Sequence, residues 1–310
     1  RWVPAIGNNR IPRYPAAVLD ARSHGSSADL VLGAPNFTSS IFIGTEPSDR
    51  IRKDAIRYPS HIAFDDFGRL YASDLLGRIV VWNPPFSNNK QISRIAGVPV
   101  LIQGQPEPPA TKIGMQLPQR IRLIGRKVVV ADAGLHRILI LPEFEQWPEE
   151  SKQFSPTAES VLGQPTFEAI TANRGLSEPV AGSLRNPRGV LFFNDGSGND
   201  GNWLLVADTG NNRVIAFPGQ SFDNNSAATR FLGQEGLEFG GINRVEGREV
   251  AFLNNLLGDG LPFAGGLAVD RSTSPPRLFV ADPSKNRVLG FRNLWSALSG
   301  GSAALVQGQL

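Results

Sequence analysis

The chain contains no cysteine. Disulfides, thiol nucleophiles and cysteine-ligated zinc are therefore excluded. Compartment stays open, because a secreted bacterial protein and a cytosolic one both fit. No apolar run approaches the roughly 18 residues needed to cross a bilayer, so no membrane span is expected. Charged residues make up only 19% of the 310-residue chain, and Lys+Arg (31) barely exceeds Asp+Glu (28). The basic residues form no dense run that would track a phosphate backbone, so nucleic acid is not the expected partner. Histidine is scarce at three residues, His24, His61 and His136. The chain opens on Arg1 rather than Met, which reads as processing or truncation.

What is abundant is turn chemistry. The chain has 33 Gly and 24 Pro beside 41% hydrophobic residues. That combination describes a packed protein of short elements, without long helices. One pattern recurs. Its clearest copy is ADTGNNRVIAF (Ala207 to Phe217), joined by ASDLLGRIVVW (Ala72 to Trp82), ADAGLHRILIL (Ala131 to Leu141) and ADPSKNRVLGF (Ala281 to Phe291). A worn copy, PAIGNNRIPRY, runs from Pro4 to Tyr14, with Ala5 in place of the Asp. The turn at Leu75–Gly77 is one residue short.

Each unit opens on a short apolar run, as in PSHIAFD at Pro59, PQRIRLI at Pro118, PRGVLFF at Pro187 and GGLAVD at Gly265. A polar turn, a second run ending in Ala-Asp, a tight turn and a third run follow. A fourth element is VLG-like: LVLGAP at Leu30, LIQGQP at Leu101, SVLGQP at Ser160, RFLGQE at Arg230 and LVQGQ at Leu305. Runs of this length and composition between turn signals read as strands. Four short strands per unit make an antiparallel blade, and blades in series make an all-β propeller. The expected blades are approximately 1–37, 58–106, 117–165, 184–235 and 261–310, about five in all, within one domain 1–310.

The P-x-G-V…V-A-D-x-x-N-x-R-V pattern resembles the NHL repeat, a β-propeller family usually of six blades. Val161 to Phe167 (VLGQPTF) is similar to a subset found in large secreted bacterial proteins. The resemblance implies a six-bladed parent ring, a longer parent chain and a place outside the cytoplasm, whether periplasmic, cell-surface or secreted.

Asp74, Asp132, Asp208 and Asp282 precede the tight turns, and Arg10, Arg78, Arg137, Arg213 and Arg287 follow them. An Asp beside such a turn can accept backbone N–H groups, and an Arg fork can bridge to it. Because the pair repeats, it is expected to staple the structure; an active site needs different residues on different blades. The string GSGNDG (Gly196 to Gly201) lies between two strands and opens no helix, so it reads as a hairpin turn. Asp195, Asn199 and Asp200 are weak calcium candidates there, since their spacing matches no standard loop. The inner strands begin at His61, Arg120, Gly189 and Gly266. One lyase on this fold holds zinc with histidines from several blades, and these four positions lack the carboxylates expected of propeller lactonases. A single histidine cannot supply a three-ligand zinc site. No metal or other cofactor is expected.

Long connectors carry apolar residues, among them Phe37, Phe42, Phe167, Phe239, Phe252 and Leu256. Such residues on loops favour contact with another protein. The leading expectation is thus a non-catalytic interaction or scaffold propeller. The alternatives are a propeller enzyme of lactonase or lyase type and an RNA-binding NHL module.

Overall fold

Eighteen short strands carry the fold in a computed structural model that describes residues 1–17, 25–194, 201–241, 249–252 and 265–308. The first pair, β1 (Ile11–Arg13) and β2 (Leu30–Leu32), is antiparallel. Four four-stranded antiparallel sheets follow. The second blade is β3 (His61–Phe64), β4 (Leu70–Asp74), β5 (Arg78–Trp82) and β6 (Arg94–Ala96). The third is β7 (Pro118–Ile124), β8 (Lys127–Asp132), β9 (Arg137–Leu141) and β10 (Ser160–Leu162). The fourth is β11 (Pro187–Asn194), β12 (Asn202–Asp208), β13 (Arg213–Pro218) and β14 (Arg230–Leu232). The fifth is β15 (Leu267–Asp270), β16 (Arg277–Asp282), β17 (Arg287–Phe291) and β18 (Leu305–Gln307). Strands follow one another in space in the order of the chain, as blades of a β-propeller require. No helix among the described residues is long and apolar enough to cross a membrane.

The fourth strand of the second blade is a correction. The sequence places it at Leu101, but β6 is Arg94–Ala96, with Ile79 opposite Ala96. Gly97 holds φ 94° there, matching Gly163 at 96° and Gly233 at 94° after their own fourth strands. A left-handed residue ends each of these strands, so a glycine fits without a Cβ penalty. Both RIAG and LIQG end in glycine, and only the pairing register separates them.

Two compact units divide the chain, residues 1–128 with 141–158 and residues 129–140 with 159–310. In the first, the core gathers Ile11, Leu32, Ile56, Leu70, Val80, Trp82 and Ile95, all closed to solvent. In the second, Leu205, Ala207, Val214, Leu232, Leu278 and Leu289 form the centre. Each buried aliphatic side chain of this kind contributes on the order of 1.5–3 kcal/mol.

The tight turns carry the repeated charges. After β12, Thr209–Asn211 form one turn of 3-10 helix, and Asn212 leaves it at φ 48°. Asn286 does the same at φ 51° and His136 at 54°. Asparagine tolerates this region better than other side chains. In the shorter turn of the second blade Gly77 takes that position at φ 75°.

Arg213 Nε donates to Asp208 Oδ2 at 2.8 Å, and both side chains are closed to solvent. Its other nitrogens donate to the carbonyls of Ser183 (3.0 Å), Val180 (3.3 Å) and Leu237. Asp208 accepts Arg185 N–H at 2.7 Å. The pair therefore ties the turn to connectors on both sides of its blade. Arg78 repeats this with Asp74 (2.8 Å) and the carbonyls of Arg52 (2.6 Å) and Ala55 (2.7 Å). Arg137 pairs with Asp132 at 2.9 Å and reaches the Phe167 carbonyl. Arg287 pairs with Asp282 at 2.8 Å and reaches the Glu249 carbonyl. Arg10, with Ala5 before its turn, donates to the Asn8 and Phe37 carbonyls.

Removing one member of a buried pair leaves an uncompensated charge. Arg213→Ala is expected to cost about 3–5 kcal/mol in urea unfolding, and the partly exposed Arg10→Ala about 1 kcal/mol or less. Equal losses for the two variants would refute this account of the pairs.

Candidate functional site

In the first unit, the start of β3 lies beside β7, and the side chains that meet there are unlike those of any other repeat. Ser60 precedes β3. Its Oγ lies 2.8 Å from Ser73 Oγ on β4. Ser73 Oγ donates to the Gln119 carbonyl at 2.6 Å, which commits its proton to holding β7 against β4. Two residues further along β7, Ile121 N–H donates to His61 Nδ1 at 3.3 Å. With Nδ1 accepting, the imidazole proton sits on Nε2.

The register of β7 supplies the rest. Side chains alternate across a strand, so Arg120 and Arg122 share one face. Both guanidiniums act on His61. Burial, then the charges of Arg120 and Arg122, push its pKa down to about 3. Burial also lowers Arg120 and Arg122, and Arg122 lowers Arg120 further. The Nε atom of each is buried without a hydrogen-bond acceptor. The site is thus a neutral imidazole N–H and two guanidiniums in a positive field. Such a donor set can hold an oxyanion or stabilise negative charge as it forms. It does not fit a metal ion, which two cations repel and no carboxylate here would ligate.

The other inner-strand starts differ. A Cβ on Gly189 would lie 2.3 Å from the Gly265 carbonyl oxygen, so that position is filled by backbone. At Gly266 it would meet the Ala281 side chain at 3.2 Å. His136 caps its turn and accepts Asn186 N–H at 3.0 Å. The Asp–Arg pairs belong to the turns. Among the connector residues, Phe42 is 81% exposed, Phe37 and Phe239 are exposed, and Phe167 is half-buried. Phe252 is a correction: it is 1% exposed and packs into the core of the second unit. Its N–H donates to Asn212 Oδ1, so the connector folds inward there instead of offering a surface. His24, Asp195, Asn199, Asp200 and Leu256 lie outside the described residues.

Ser60, Ser73 and Arg122 were not singled out by sequence. Two signals existed. Ser73 stands where the other copies have Ala131, Ala207 and Ala281, and Arg122 is two residues from Arg120 on a strand.

Residues 47–82 match the family described as strictosidine synthase-like, N-terminal. No curated protein matches the chain. Among solved structures, a protein from Lactobacillus plantarum is 10% identical, over 98% of this chain and 70% of that one, with a TM-score of 0.47. The periplasmic gluconolactonase of Pseudomonas aeruginosa is 13% identical, over 81% of this chain and 54% of that one, with a TM-score of 0.41. BamB from Moraxella catarrhalis is 11% identical, over 99% of this chain and 63% of that one, with a TM-score of 0.36. The chain thus spans little more than half the length of the gluconolactonase.

The expectation of a non-catalytic scaffold module that is not an enzyme is corrected. The matching family carries an enzyme's name, and its matched segment contains Ser60, His61 and Ser73. That expectation rested on the lack of a converging polar set, whereas His61 lies within the electrostatic reach of both Arg120 and Arg122.

A depressed histidine pKa links to stability. The unfolded chain binds a proton near pH 6.5, while the folded site resists it down to about 3. Stability is therefore full above the unfolded value and falls as pH drops from 6.5 toward 3. His61→Gln is expected to flatten that limb of a stability-against-pH curve. An unchanged slope would show that His61 is not held neutral by the fold.

Proposed function

We propose that the chain is an enzyme of the propeller lactonase or lyase type, acting where β3 meets β7. The observation that carries this is the match of residues 47–82 to a synthase-like family, because that segment spans β3, β4 and β5 and brings His61 to the guanidiniums of β7. The repeat of Asp, tight turn and Arg supports placing the chain among the NHL-type propellers. The likeness of Val161 to Phe167 to repeats of secreted bacterial proteins supports a place outside the cytoplasm.

Lactone hydrolysis suits this donor set. Water adds to the carbonyl carbon and the C=O electron pair moves onto oxygen. Collapse of that oxyanion breaks the ring C–O bond; the ring oxygen takes one proton of the attacking water and the other passes to solvent, leaving a carboxylate, a hydroxyl and one released proton. Negative charge develops on the carbonyl oxygen and persists on the product. Arg120, Arg122 and the Nε2–H of His61 lower its energy. His61 serves as a neutral donor, since its proton is not released or gained near neutral pH.

The purified protein is expected to release acid from members of a panel of γ- and δ-lactones in a pH-stat assay. His61→Gln is expected to lower kcat/KM by about 100-fold. No turnover across the panel, or turnover untouched by His61→Gln, overturns the reading.

A further inference from the structure

Arginines of the first unit end on carboxylates, on backbone carbonyls as Arg50 and Arg57 do, or on neither. Arg13, Arg52 and Arg78 each face a carboxylate, Asp29 at 2.7 Å, Asp54 at 2.8 Å and Asp74 at 2.8 Å. Arg120 and Arg122 face no carboxylate among the described residues, and each keeps a buried Nε without an acceptor. They sit at alternate positions of β7, so the strand presents two like charges side by side. Partial burial without an acceptor disfavours each charge, and their mutual repulsion adds to the cost. Nothing in blade geometry demands this arrangement. The residues in register with Arg120 on the fourth and fifth blades are Gly189 and Gly266.

The surrounding groups name the ligand's chemistry. His61 adds an Nε2–H donor. The Ser73 hydroxyl is already committed to the Gln119 carbonyl, so it neither neutralises the guanidiniums nor competes for them. Donors without acceptors attract an anion and repel a cation. Guanidiniums bind oxyanions in pairs of parallel hydrogen bonds, which favours carboxylate or phosphate oxygens over a single-atom ion.

We propose that Arg120 and Arg122, with His61, form a binding site for an oxyanionic group, carboxylate or phosphate, carried by the substrate. This rests on the enzyme reading for its catalytic consequence, but the binding itself does not require turnover.

The test is thermal melting of the full chain against sodium phosphate and, separately, sodium acetate, with sodium chloride at matched ionic strength as the control. Phosphate or acetate is expected to raise the melting temperature, by about 5 °C at a hundredfold excess over Kd. Whichever probe acts identifies the oxyanion. Arg120→Leu combined with Arg122→Leu is expected to abolish the shift and, without anion, to melt no lower than the wild type. Should that double variant fail to fold, Arg122→Glu gives the second arm. It places a carboxylate beside Arg120, so it is expected to melt higher than the wild type and to ignore phosphate. The proposal is overturned if neither anion exceeds chloride, if the variants shift as the wild type does, or if Arg122→Glu lowers the melting temperature. Anion binding without lactone turnover would sink the enzyme reading alone. Turnover of neutral lactones without anion binding would sink this one alone.

Discussion

The buried Asp–Arg pair beside four of the five tight turns is the constraint on which blade and connector geometry both depend. Taking a carboxylate and a guanidinium out of water is costly, and their mutual attraction alone does not repay it. At Arg213 the balance is closed by backbone. The guanidinium meets Asp208 and the carbonyls of Val180, Ser183 and Leu237, while Asp208 accepts the N–H of Arg185. Those carbonyls and that N–H belong to irregular connectors, which have no sheet partner to satisfy them. One pair thus satisfies turn, incoming connector and outgoing connector together. The pair's net contribution is small beside the aliphatic core, yet it decides where each connector runs. The first copy shows the contrast: with Ala5 in place of the Asp, Arg10 stays near the surface and its described sheet has two strands.

This explains why the fold was readable. A left-handed residue and an Arg after it recur with every copy of the turn, and an Asp before it in four of the five, so the period is written in residue identity. The shortened turn of the second blade obeys the same rule, with Gly77 replacing the asparagine. Register was less readable. The fourth strand at Arg94 and the decoy at Leu101 both end in a glycine, and only the pairing of Ile79 with Ala96 chooses between them. Burial of connector residues was hidden as well. Phe42 and Phe252 both lie on long connectors, yet one faces solvent and the other packs into the core of the second unit, a difference set by tertiary contacts that no local pattern encodes.

The candidate site was hidden for the opposite reason. Comparing copies brings out what they share, and this site is made of departures. His61 stands where another copy has Gly189, Ser73 where others have alanine, and Arg120 and Arg122 where the fourth blade has Gly189 and Leu191. Each departure looks like noise within its own repeat. They become a site only because β7 lies against β3 and β4, which the hydrogen bonds of Ser73 to Gln119 and of Ile121 to His61 establish.

Arginine marks the difference between scaffold and site in physical terms. A guanidinium whose donors end on fixed acceptors, as at Arg78 and Arg213, is spent on geometry. A guanidinium with a buried donor left over and no carboxylate facing it, as at Arg120 and Arg122, raises the energy of the empty fold. Sites of function commonly carry such local instability, offset by the stability of the frame around them. The frame here is β7, held rigid against β3 and β4 by the hydrogen bonds of Ser73 to the Gln119 carbonyl and of Ile121 N–H to His61. The same rigidity holds His61 neutral, because an imidazole free to swing out would regain solvent and its ordinary proton affinity.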